Sequence, residues 1–192
     1  MKNLLLKIFL ILTCICSIGY TAELSGLKGY GGQYIPEGSF IPVENTAEIS
    51  TEFAQTGTQV KFIGTNDFFL GDLNVLPRRT EFYGYVAKVN EPIIGTNGSM
   101  IIKIVKMRLP DGYEQAINAY IYSANNNIIG GEMTSPSSYD AMPIYYQGYD
   151  PGFIRTVPGA SRKKGEHTII EAGDSKIIIL ARPLFIKHTL IN

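Results

Sequence analysis

The chain is short of the residues that carry covalent stapling and most acid–base or metal chemistry. Among its 192 residues there are two cysteines, two histidines and no tryptophan. Both cysteines, Cys14 and Cys16, sit inside an apolar run near the N-terminus. Beyond that run no thiol is left for a disulfide, a thiolate metal site or a cysteine nucleophile. The histidines, His167 and His188, have no cysteine partners, which argues against a zinc site. The HExxH, GxSxG, P-loop and Asp-Thr-Gly patterns are all missing. No catalytic residue, metal or cofactor is therefore expected. Excess positive charge is missing as well. Seventeen basic residues balance 17 acidic ones, which excludes a nucleic-acid partner held by electrostatics. Helical periodicity is nearly absent; only "EFAQ" (52–55) could form a turn.

Long hydrophobic runs are scarce. The one clear case, Ile8 to Ile18, is shorter than the roughly 20 residues that span a bilayer. It follows a basic start, Lys2 and Lys7, and is followed by the small residues Ser17, Gly19 and Ala22. This is the pattern of a secretory signal peptide over 1–19, with cleavage between 19 and 22. Cleavage after Gly19 puts Ser17 at −3, whereas cleavage after Ala22 puts the bulky Tyr20 there. The protein is then exported, to the periplasm, cell envelope or extracellular space. No transmembrane helix is expected in the mature chain. Losing Lys2 and Lys7 turns 17 bases against 17 acids into 15 against 17, a net charge of −2. About 170 residues remain, enough for one domain with its own core.

What is present is a series of strand patterns. Residues 20–38 are Gly-rich and read as an extended lead-in. The all-β domain is expected over 39–190. "SFIPV" (39–43), "AEIS" (47–50), "QVKFIG" (59–64) and Leu73 to Leu76, ended by Pro77, are short strands. "TEFYGYVAKV" (80–89) is longer, with Gly84 among aromatics, where glycine marks a bulge, a barrel bend or a close backbone approach. "SMIIKIVKMRL" (99–109) carries Ile101, Val105, Met107 and Leu109 on its odd positions, with Lys103 the exception. "YEQAINAYIYS" (113–123) carries Tyr113, Ile117, Ala119 and Ile121 on its odd positions. Pro110-Asp111-Gly112 between them reads as a three-residue hairpin loop, so three strands form a meander. Thr168 to Glu171 and Lys176 to Ala181 flank a turn at 172–174. Ile177 to Leu180 is apolar on both faces and reads as a doubly buried strand. The fold class is all-β, a single antiparallel barrel or sandwich.

Residues 123–163 show no strand or helix period and hold four prolines, so they read as a long irregular loop. Their aromatics argue against disorder. Tyr139, Tyr145, Tyr146 and Tyr149 form a candidate binding surface, since tyrosine suits interfaces. Arg162, Lys163 and Lys164 could add an anion contact. "GGE" (130–132) could form an anion-binding nest, although a turn is the simpler reading. The alternative function, a secreted hydrolase or carbohydrate-active enzyme, would use acids of this loop. It requires Glu132, Asp140 and His167 to converge.

The elements "IPEGSFIPV" (35–43), "VLPRRTEFYGYVAKV" (75–89) and "MIIKIVKMRLPDGYEQAINAYI" (100–121) resemble, in order, the C-terminal β-barrel domain of the TrbI-like family of bacterial conjugation and type IV secretion proteins. Leu76, Pro77, Thr80 and Gly84 match the family's "LP-x-G-[ST]-x-x-x-G" strand, and Pro110, Asp111 and Gly112 match the "PDG" that ends another. The family's glycine before the Ser/Thr is Arg79 here. The family's transmembrane helix, Pro-rich linker and amphipathic helical insertion have no counterpart. The resemblance implies an envelope protein with a non-enzymatic binding or assembly role, a protein partner in the envelope, room for a homo-oligomer, and a stand-alone version of the barrel domain.

Overall fold

The computed structural model describes residues 32–70, 73–144, 153–159 and 161–186. The signal segment and most of the lead-in lie outside them. The described strands are β1 (Gln33–Ile35), β2 (Phe40–Asn45), β3 (Ile49–Ser50), β4 (Gln59–Gly64), β5 (Phe68–Leu70), β6 (Leu73–Leu76), β7 (Glu81–Asn90), β8 (Ser99–Arg108) and β9 (Glu114–Ile121), followed by β10 (Ile129–Gly130), β11 (Tyr139–Ile144), β12 (Phe153–Pro158), β13 (Ile169–Ile170), β14 (Ser175–Leu180) and β15 (Leu184–Ile186). The chain divides into two compact units. Of the described residues, 32–34 and 185–186 fall in one, and Ile35–Leu184 is the other.

The larger unit is a closed antiparallel barrel of six strands. The order runs β8-β7-β4-β2-β14-β9 and closes through β8–β9. Alternation builds its interior. Ile41 and Val43 of β2, Val60 and Phe62 of β4, Phe82 and Val86 of β7, Ile117, Ala119 and Ile121 of β9, and Ile178 and Leu180 of β14 are all buried. The meander forms with the expected turn. Leu109 N–H donates to Tyr113 O (2.8 Å), Gly112 N–H donates to Leu109 O (2.9 Å), and Tyr113 N–H donates to Asp111 Oδ1 (3.0 Å). Gly112 has φ +93°, the left-handed conformation that closes the loop.

Three expectations change. The buried face of β8 is not its odd positions throughout: Met100, Ile102 and Ile104 are buried, then Met107 and Leu109. Adjacent Tyr83 and Gly84 of β7 pair with Lys106 and Ile104, so Val105 is the extra residue, and this bulge moves the interior of β8 from even to odd positions. Lys103 is therefore an ordinary outward residue. Strand β14 is not doubly buried. It sits between β2 and β9, but a barrel wall has one inside face, and Ile177 is 40% exposed. The stretch 123–163 is not structureless, since it holds β10, β11 and β12.

The turn into β7 holds Arg79 in a backbone conformation that favours glycine. Thr80 N–H and Oγ1 both donate to Pro77 O (3.1 and 2.6 Å), and Arg79 N–H donates to Gly64 O (2.8 Å). This places Arg79 at φ +68°, where a side chain is strained and glycine is not. Arg79 is exposed and makes no ion pair among the described residues. Arg79→Gly is therefore expected to raise the unfolding free energy by about 0.5–1 kcal/mol, read as a higher urea midpoint.

Candidate functional site

The segment after β9 first runs back along the β7–β8 loop. Ile129 and Gly130 pair with Met100 and Ser99, Gly131 N–H donates to Gly98 O (2.9 Å), and Asn97 N–H donates to Glu132 O (2.9 Å). The Gly131 amide is thus engaged within the fold, and this is a turn rather than an open nest. Residues 162–166 return on the other side. Gly95 N–H donates to Lys163 O (2.9 Å), Gly165 N–H to Ile93 O (2.9 Å) and Gly98 N–H to Glu166 O (2.9 Å). The main chain of the basic run is therefore a structural seam. Lys163 and Lys164 are exposed and edge a shallow hollow of about 360 Å³ with Asn97, Met133 and Glu166. None of Arg162, Lys163 and Lys164 is in an ion pair among the described residues.

Between these two runs the chain projects as a hairpin. Its base is closed by Ser137 Oγ to Ser161 O (2.6 Å) and Gly159 N–H to Ser138 O (2.7 Å). Strands β11 and β12 pair from Tyr139↔Pro158 to Ile144↔Phe153 and make a two-stranded sheet of their own. Residues opposite each other share a face. Tyr139 (61% exposed), Ala141, Ile154 (76%) and Thr156 lie on one face, with Asp140, Met142 (51%), Arg155 and Val157 on the other. The described side chains of both faces are exposed, Val157 only in part. The ladder bonds at Ser138/Gly159 point the main chain of residues 143 and 158 toward the outer edges, and both positions are proline. Proline offers no N–H there, so neither edge is fully available for another strand. Tyr145, Tyr146 and Tyr149 lie outside the described residues.

The three groups of the hydrolase alternative sit on different elements. Glu132 is beside Asn97, Asp140 is on β11 opposite Val157, and His167 Nδ1 lies 3.2 Å from Thr51 Oγ1. No hydrogen bond among the described residues joins any two of them. Ionic order is concentrated instead on the barrel wall. Lys61 Nζ contacts Glu81 Oε1 at 2.6 Å, Tyr83 OH donates to Glu81, and Lys106 Nζ lies 4.7 Å from the Tyr83 ring centroid. The Lys61 hydrogen bond, then that of Tyr83, hold the Glu81 carboxyl below its ordinary value; the same Lys61–Glu81 bond raises Lys61. These groups are part-exposed, and the pair orders the surface more than it stabilises the fold.

Two features gave no signal in the sequence. An outward patch spans β2, β14 and β9: Phe40 and Tyr122 meet edge to face at 5.1 Å beside Ile177. The second is a split between β2 and β4, lined by the turn at 51–53. Strand alternation marks which residues face out, but not which outward faces adjoin.

No protein-family model matches the chain, and no curated protein matches it. Among solved structures, ComB10 of the Com type IV secretion system of Helicobacter pylori is similar, with a TM-score of 0.46 and 13% identity over 80% of this chain and 90% of that one. At that score and identity the likeness decides neither family nor function.

Proposed function

We propose that the chain is an exported cell-envelope protein with a non-enzymatic assembly role, a stand-alone version of the TrbI-like barrel domain, and that it meets a protein partner through the β11–β12 hairpin. The observation that carries this is the hairpin's exposure on both faces. An isolated two-stranded hairpin is marginally stable in water, and this one presents Tyr139, Met142 and Ile154 to solvent rather than to its own barrel. Exposed apolar groups gathered on one projection mark a contact surface. The blunted edges direct that contact to the side-chain faces. The leader-like N-terminus supports the envelope location, and Arg79 in a conformation suited to glycine supports the kinship of the β7 turn.

Photo-crosslinking in intact cells tests this. A benzophenone side chain at Ile154 is expected to give a discrete adduct in the envelope fraction, and the same probe at exposed Glu37, in the turn before β2, to give none. Equal labelling from both positions, or none from Ile154, would sink the reading.

A further inference from the structure

The barrel wall is open at one place. Strands β2 and β4 pair only over Val43↔Gly64, Glu44↔Ile63 and Asn45↔Phe62. Thr46 N–H and Oγ1 then both donate to Lys61 O (3.3 and 2.9 Å), which ends the ladder. The chain bends away and continues as β3, which pairs with β13 instead (Ile49↔Ile170, Ser50↔Ile169). Asn45 fixes the departure. Its Nδ2 donates to the carbonyls of Ala47, Ile170 and Glu171, and the residue is 2% exposed.

The first half of β4 is left with β7 on one side only, through Gln59↔Tyr85, Val60↔Gly84 and Lys61↔Tyr83. The bonds Gly64 N–H to Thr80 O and Val86 N–H to Thr58 O show that even positions of β4 bond to β7. Odd positions therefore face the split. Gln59 N–H, Gln59 C=O and Lys61 N–H point into it with no main-chain partner among the described residues. A cavity of about 350 Å³ occupies the gap, lined by Ile49, Phe53, Ala54, Val60 and Tyr83. Phe53, on its rim, is 75% exposed. Proteins blunt open edges with proline, lysine, bulges or cover, and the one lysine here, Lys61, is drawn off to Glu81 of β7 at 2.6 Å. This chain places proline at both edges of its hairpin, and none at Gln59 or Lys61.

We propose that the split takes an extended segment of another polypeptide as an added strand beside Gln59 and Lys61, with one apolar side chain in the cavity against Phe53 and Ile49. Main-chain bonds supply register and the cavity supplies selectivity. The site is separate from the hairpin, and either can fail without the other.

The probe is a phage-displayed library of random linear peptides panned on the full mature chain. Selected peptides are expected to carry alternating apolar residues and to slow amide exchange at Gln59 and Lys61. Gln59→Pro removes one edge N–H but leaves the β7 ladder, which uses residues 58, 60, 62 and 64. It is expected to melt as the parent does and to bind the selected peptide about tenfold more weakly. Phe53→Ser, at an exposed rim position, is expected to weaken binding similarly and covers the case in which Gln59→Pro fails to fold. The Ile154 crosslink should persist in both variants. The inference is overturned if panning enriches no peptide, if the peptide binds both variants as tightly as the parent, or if exchange at Gln59 and Lys61 is unchanged. It is also overturned if Gln59→Pro breaks up a native oligomer, because the occupant would then be a second copy.

Discussion

Gly84→Ala is expected to lower the unfolding free energy by about 3 kcal/mol, at the upper end of what overpacking a close-packed interior costs. A Cβ at Gly84 would stand 2.2 Å from Lys103 O, 2.8 Å from Ile104 Cδ1 and 3.1 Å from Ile104 Cα. Two of these three atoms are backbone, so no rotamer change relieves the clash. Ile104 is itself fully buried and cannot swing aside. The β7–β8 register shifts between Tyr83 and Gly84, and there β8 comes close against β7. Adding one methyl group must push two long strands apart in the middle of the closed wall. Gly112→Ala is the control: φ there is +93° but nothing lies within 4 Å, so only local strain of about 1 kcal/mol applies. Urea unfolding of both variants separates the two causes. If the two losses were equal, the close approach at Gly84 would carry no weight.

That contrast bears on how far the sequence could be read. Gly84 was legible as a bulge or close approach because a glycine amid Phe82, Tyr83 and Tyr85 has no other strand role. Pro110-Asp111-Gly112 set a loop length, and with it the β8–β9 pairing. Phase inside a strand was harder. Val105 is as apolar as its neighbours, so the bulge that flips the buried face of β8 left no mark except Lys103 on what looked like an inner position. In β14, Ile177 and Ile178 are chemically the same, yet one is outside and the other inside, because barrel closure and not composition decides the face. The hairpin escaped for a related reason. With exposed side chains on both faces, β11 and β12 need no alternation, and Pro143 and Pro158 read as breakers although they occupy edge positions a strand tolerates. The split at Thr46 depends on which strand Ile49 joins, a long-range choice that no local pattern near residue 46 encodes.

The acid–base groups illustrate the same limit. Glu132, Asp140 and His167 were near enough in sequence to be imagined together. Their placement depends on a pairing between 93–98 and 131–166 that the run of polar and glycine residues does not announce. What positions them is main-chain bonding, and no hydrogen bond among the described residues joins their side chains.

The most direct measurement concerns the hairpin. Ser138 and Gly159 are already hydrogen-bonded at its base, at 2.7 Å, so replacing 139–158 with Gly-Gly closes a tight turn without moving either flank. The hairpin is a sheet of its own, so the barrel should keep its unfolding free energy within about 0.5 kcal/mol. Partner capture should be lost outright, because Tyr139, Met142 and Ile154 are removed together. The measurement is a tagged pull-down from crosslinked envelope extracts, parent against the shortened chain, with urea unfolding of both. A shortened chain that folds as the parent does but captures no partner is the expected result. A shortened chain that still captures the same partner would contradict the proposal that the hairpin is the contact surface.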